Sequence, residues 1–249
     1  DALAYRVSGE RTHIPVAQRL GRYIIHSQRA DGSFLHQRNH PSGSPRDFIS
    51  QYYPGEALLA LTALHSADGD AAWLDVAEAG ARYLIRVRDR GIATADLVHD
   101  HWLLYALDRL YRQRPDPLYL DHAMRIAQAI IGKQRTEADY PDHVGSYSTS
   151  PRSTPVATRN EGLLAAHALA RDFGRPDMAA AILKAVILGT GVQLATLIDP
   201  ARAMHLPDPQ RALGGFTRSF VNYEVRIDYV QHNLSALLVL ADLLDAAAE

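Results

Sequence analysis

The 249-residue chain is 47% apolar, carries a formal net charge of −2 and contains no cysteine. Disulfides, thiolate metal sites and cysteine nucleophiles are excluded, and nothing in the charge balance favours nucleic acid or a membrane surface as partner. The basic residues are nearly all arginine, Lys133 and Lys184 being the two lysines, and guanidinium forks suit planar anions.

In chain order, the first helical pattern is VAQRLGRYII (16–25), with Ala17, Leu20, Gly21 and Ile24 on one stripe. QRADGSF (28–34) reads as a turn, and QYYPGEALLAL (51–61) leads into a more apolar helix with Glu56 at its threshold. The pair then recurs. VAEAGARYLI (76–85) precedes LLYALDRL (103–110), HAMRIAQAII (122–131) precedes LLAAHALA (163–170), and MAAAILKAVI (178–187) precedes LSALLVLADLL (234–244). The first members superimpose without gaps, Ala17, Ala77, Ala123 and Ala179 falling in register. The second members are apolar over a wider arc and are expected to lie deeper. GGFTRSFVNYEVRIDY (214–229) alternates well enough to predict a short β-hairpin.

The links between pairs, SADGDAAW (66–73), RQRPDPLY (112–119) and DFGRPDMA (172–179), are short and rich in Gly, Pro and Asp. The links within pairs run from about a dozen to over about thirty residues, and long ordered loops are where binding and catalysis usually sit. No stretch approaches the ~18 apolar residues of a membrane span, so no span is expected. The chain starts at Asp1 without a methionine, which reads as a mature or trimmed chain and tilts the expectation toward an extracytoplasmic location.

This arrangement resembles the α/α-toroid enzymes: the six-hairpin glycosidase-like proteins, the N-acylglucosamine 2-epimerase group and several polysaccharide lyases. QRADGSF is similar to the Q-x-x-D-G-[SG]-[FW] turn of those proteins and of terpene-cyclase and prenyltransferase repeats. The resemblance implies an all-α fold and one α/α-toroid domain over residues 1–249: a barrel, a smaller or open toroid, or part of a longer chain. It also implies a carbohydrate substrate. Terpenoid chemistry is disfavoured because no D-D-x-x-D or D-x-D-D run is present.

Aligning the second helices on Leu58, Leu103, Leu163 and Leu234 brings Glu56, His101, Glu161 and His232 into one register. The expectation is a ring of titratable groups at helix N-termini. A glutamate there is favoured by the helix dipole alone, whereas an imidazolium is not. Asp228 joins these four as a candidate catalytic residue. Candidate substrate-binding residues are Asp31, Tyr52, Tyr53, His99, Asp100, Trp102, Tyr140, Arg159, Asn160, Arg226, Tyr229 and Asn233. Aromatic faces beside carboxylates, amides and guanidinium groups match a pyranose, with its apolar CH face and hydroxyl rim. Convergence of Arg152, Arg159, Arg218 and Arg226 would favour an anionic substrate.

The leading expectation is a glycosidic-bond hydrolase using a carboxylate acid/base pair, Glu56 and Glu161, on an anionic poly- or oligosaccharide. The first alternative is a polysaccharide lyase or sugar epimerase, with His101, His232 or Tyr229 moving the proton. The second is a non-catalytic glycan-binding or assembly module. No cofactor is expected. A metal on His99, Asp100 and His101, completed by His36 and His40 or by His143, is not assigned, because residues two apart diverge on a helix.

Overall fold

Asp70 shows how the helices are punctuated. Its carboxylate accepts the N–H of Ala72 at 2.9 Å, capping one helix immediately after Gly69 has closed the previous one. The computed structural model describes residues 7–248, all helical apart from turns and isolated bridges. The longer helices are α1 (Ile14–Ser27), α2 (Tyr53–Asp68), α3 (Ala71–Tyr83), α4 (His101–Gln113), α5 (Pro117–Lys133), α6 (Ser153–Asp172), α7 (Pro176–Ala195) and α10 (Ile227–Ala248); α8 (Pro200–Ala203) and α9 (Pro209–Ala212) are single turns. The all-α expectation and the hairpin links hold.

The chain divides into two compact units, up to Ile126 and from Ala127 onward, the boundary falling inside α5. In the first unit α2 packs between α3 and α4, with Leu58, Leu61, Leu103 and Leu107 fully buried. In the second, α6 packs between α7 and α10 and buries Leu163, Ala166, Leu169 and Ala170. The expectation that second members lie deep fails for α10, which leaves Leu234, Leu238, Val239 and Leu244 exposed. Within its unit α10 packs on α6, so only the stripe carrying Asn233, Ala236 and Leu240 is covered. Helix α7 has the length and mean hydropathy (1.7) of a membrane-crossing helix, contrary to the expectation of no such segment. In this unit Ala179, Ile182, Ala185, Val186 and Val192 are buried.

Each unit opens with the same device. Gln28 donates its amide to the carbonyls of Gly32 (3.2 Å) and Val76 (2.9 Å), and Gln134 donates to those of Gly145 (3.0 Å) and Ala185 (2.8 Å). The N–H of Arg29 meets Ser33 and that of Arg135 meets Ser146, at 2.7 and 2.8 Å. Gly32 and Gly145 have φ of +89° and +91°, and a Cβ on either would fall 2.4 Å from the carbonyl oxygen of Ala79 or 2.1 Å from that of Leu188. The equivalence pairs Val76 with Ala185, whereas gapless superposition pairs it with Met178. That slip is about two helical turns, over which an amphipathic stripe maps onto itself.

The predicted hairpin at 214–229 forms only isolated bridges, Thr217 with Val225, Leu197 with Phe216 and Arg152 with Ser219, and no strand exists among the described residues. Its turn does form, Ser219 N–H donating to Asn222 O at 3.2 Å. Val221 and Ile227 are 90% and 88% exposed, so the alternation has no face to bury and no ladder extends.

Candidate functional site

In the second unit α6 and α10 bring Glu161 against His232, with Nδ1 of the imidazole 2.7 Å from Oε2 of the carboxylate. The glutamate side chain is 2% exposed and the imidazole 14%. An ionised glutamate only accepts, so His232 donates from Nδ1 and its Nε2 carries the lone pair. Glu161 lies mid-helix, about two turns inside α6, and His232 sits in the second turn of α10. The expectation of helix N-termini therefore fails for both, while Glu56 and His101 do occupy first turns. The cause is that α6 and α10 start further upstream of their leucine runs than α2 and α4 do.

Asn160 and Asn233, the residues preceding Glu161 and following His232, belong to a buried amide chain. Asn160 Nδ2 donates to Gln193 Oε1 (2.7 Å) and Val186 O (3.2 Å), Gln193 Nε2 donates to Asn233 Oδ1 (3.1 Å), and Asn233 Nδ2 donates to Tyr229 O (2.8 Å). Gly189 admits Asn160, since a Cβ there would stand 2.6 Å from its Oδ1. Asn160 and Asn233 are fully buried, so these two expected substrate contacts tie α6, α7 and α10 together and fix the dyad's backbone. Gln193 was missed by sequence reasoning; its only signal is an amide inside an apolar helix.

Around the dyad's helices, Arg226 Nε pairs with Asp228 at 3.0 Å and its guanidinium lies 5.3 Å from the Tyr229 ring. The Tyr229 hydroxyl donates to Glu224 at 3.1 Å, and Arg218 stands 3.6 Å from the same carboxylate. Arg159 donates to Pro155 O at 2.6 Å and lies over Tyr147, whose pKa burial pushes up. Arg159, Arg218 and Arg226 each have a partner close in sequence or space, and Arg152, the residue before α6, bridges to Ser219 through its backbone. Tyr140 is exposed on a separate cavity of about 550 Å³, with His143 stacked on Phe220 at 5.1 Å and His205 and Tyr223 also on its lining. Phe220, His205 and Tyr223 were not anticipated.

In the first unit Glu56, partly exposed, lines an apolar groove of about 310 Å³ together with Trp102, Leu20, Ile24 and Leu64. Partial burial raises the pKa of its carboxyl. The Trp102 ring lies 4.6 Å from that of His101, tilted by 37°, and His101 lies 6.0 Å from Tyr52. Tyr53 meets Phe34 and His36 edge-on, and His99 is half-buried before α4. Asp31 is engaged in its own turn, accepting the N–H and hydroxyl of Ser33 at 2.9 and 2.7 Å; the hydroxyl bond is the largest influence lowering its pKa.

Asp100 is fully buried and caps α4 through the N–H of Leu103 at 3.0 Å. Burial raises its pKa to about 7, against the opposing N–H bond and the charge of Arg88. Arg88 ends a π-helical turn, Leu84–Arg88, and holds Asp89 through two bonds of 2.7 and 2.8 Å. His122 Nε2 completes the set 3.0 Å from Asp89. Burial alone would raise the Asp89 pKa, but the Arg88 fork and His122 outweigh it and bring it to about 2. This set escaped sequence reasoning; its signals were a charged run, RVRDR (86–90), and a histidine on the buried face of an apolar helix.

Fold and sites together define an all-α protein of helical hairpins carrying buried acid–histidine pairs in each unit. No family model matches the chain, and no curated protein matches it in sequence.

Proposed function

We propose that the protein is a carbohydrate-active enzyme that moves a proton with the Glu161–His232 dyad, in the manner of a polysaccharide lyase or sugar epimerase acting on an anionic saccharide. The observation that carries this reading is the 2.7 Å bond between His232 Nδ1 and a glutamate that is itself almost wholly buried. A buried carboxylate fixes the tautomer and orientation of the imidazole and stabilises the imidazolium formed when Nε2 takes a proton. The substrate proton removed in such chemistry is the one next to a carboxylate, and arginine stabilises the resulting enolate. Arg226, exposed beside Tyr229 on the same segment, is the nearest candidate in sequence. The α/α-toroid arrangement is part of the proposal; its support is the helical-hairpin order and the repeated Gln28 and Gln134 turns.

A glycoside hydrolase is the second reading, favoured by Glu56. Its raised pKa beside Trp102 suits a general acid above an apolar sugar face. A product-resolved screen against neutral and uronate-containing polysaccharides separates the two. Unsaturated uronate ends or inverted uronate carbons support the dyad chemistry; reducing ends without unsaturation, lost on Glu56→Gln, support the hydrolase. Neither product from any polymer would sink both.

A further inference from the structure

The first unit contains a second cavity, of about 300 Å³, that the proposed chemistry does not use. Three guanidinium-bearing residues from separate segments line it: Arg29 from the turn after α1, Arg46 from the long loop, and Arg88 from the π-helical turn. Asp47 is the one acid among the lining residues. We infer that this cavity is an oxyanion-binding site, taking a phosphate or the carboxylate of a single acidic sugar.

The cationic wall is held in place before any ligand arrives. Asp89 grips Arg88 through Nε and Nη2 and is itself held by His122, so the guanidinium plane is fixed; Nη1, outside that fork, stands 3.9 Å from Asp100 Oδ2, a carboxyl whose pKa burial raises to about 7. Arg29 Nη1 donates to the carbonyl of Phe34 at 3.0 Å and to the Ser33 hydroxyl at 3.3 Å, both neutral partners; Asp31 feels its charge, but that carboxylate is engaged by the N–H and hydroxyl of Ser33. Arg46 lies on the exposed side, with no carboxylate within ion-pair distance of its guanidinium among the described residues. Preformed guanidinium donors bind oxyanions with little reorganisation.

His36 adds a neutral donor. Its Nδ1 accepts the N–H of Ser50 at 2.7 Å, so the ring proton resides on Nε2. Burial, followed by the charges of Arg29 and Arg88, lowers its pKa; the same positive field favours an anion. Phe48, Ile49 and Pro54 also line the cavity and supply apolar surface for a ring CH face. The volume is at the lower end of small-ligand sites, about 300–1,000 Å³, which selects one sugar or phosphate over a polymer segment.

The experiment is an NMR titration of the His36 ring signals in the intact protein. Inorganic phosphate and glucuronate are the probes and sodium chloride at matched ionic strength is the control. Saturable shifts with either oxyanion and none with chloride are expected, and whichever saturates at lower concentration identifies the source. Arg46→Gln, at an exposed position, should weaken binding about tenfold, and Arg88→Lys, which removes the fork, should weaken it further. If Arg88→Lys fails to fold, Arg46→Gln decides alone. No saturable shift with either oxyanion, equal shifts with chloride, or unchanged affinity in Arg46→Gln would overturn the inference. The readout is binding in the unit that does not hold the dyad, so its failure is distinct from failure of the proposed chemistry.

Discussion

His232 Nδ1 donates to Glu161 Oε2 across 2.7 Å, linking α10 to a carboxylate buried two turns inside α6. Glu161→Gln keeps the size of the side chain and a hydrogen-bonding oxygen but removes the charge that stabilises an imidazolium. It should lower kcat by about 10²–10⁴-fold on the saccharide found by the screen, with KM little changed. His232→Gln should fall in the same range, and the double variant should lose little more than either single one. Additive losses would show that the two residues do not act as a unit.

Gly32 and Gly145 do the same work in the two units, and one substitution series tests both. An alanine at either position meets a left-handed φ and a backbone oxygen closer than any real Cβ contact. Gly32→Ala and Gly145→Ala should each cost at least about 2 kcal/mol in urea unfolding. Gly174, with φ +75° and open space around its Cβ position, is the control and should cost about 1 kcal/mol. Equal costs at all three positions would show that the packing of the turn on α3 and α7 contributes nothing.

What was legible in the sequence follows from which interactions are local. Helix positions, the Asp70 cap and the Gly69 and Gly174 stops are set within a few residues, and periodicity with turn chemistry finds them; the Asp100 cap is equally local, but Asp100 reads in sequence as a substrate contact. QRADGSF was legible as a turn, but its partner QRTEADYPDHVGS (134–146) was hidden by an insertion between Arg135 and Gly145. Glu161 and His232 were found for a reason that does not hold, a shared N-terminal height, because a stripe repeating every two turns cannot fix register. The roles of Asn160 and Asn233 turn on Gln193, and the Asp89 set turns on a π-helical turn; the lone amide in an apolar helix and the RVRDR run mark the residues but do not say which distant side chains they meet.

The amide chain makes a second structural test. Asn160→Ala removes the donor to Gln193 and to the Val186 carbonyl at a fully buried position, at a cost of about 2–3 kcal/mol. Gln193→Ala should cost a similar amount. Because both belong to one network, the double variant should fall short of the sum by at least about 0.5 kcal/mol. Full additivity in chemical denaturation would mean that the chain does not act as one.

Asp100 and Asp89 give opposite pH dependences. The ordinary carboxyl value for each is 3.8; in the folded state Asp100 is raised to about 7 and Asp89 is lowered to about 2. Between about pH 4 and 7 the native state holds a proton on Asp100 that the unfolded chain releases, so stability falls as pH rises through that window and levels off above it. Asp100→Asn keeps an N-capping side chain and removes the burial of charge. It should be near neutral at pH 4 and gain on the wild type by a few kcal/mol above pH 7. Asp89 acts in the other sense, its contribution being present above its unfolded value and lost as pH falls toward 2. Asp89→Asn should therefore be destabilising at pH 7, leaving Arg88 without its ionic partner, and should approach the wild type in acid. Urea unfolding of the three proteins at about pH 2.5, 4 and 7.5 checks both signs, the Asp89→Asn gap closing between pH 4 and 2.5, and a gap between Asp100→Asn and wild type that does not widen from pH 4 to 7.5 would refute the assignment to Asp100.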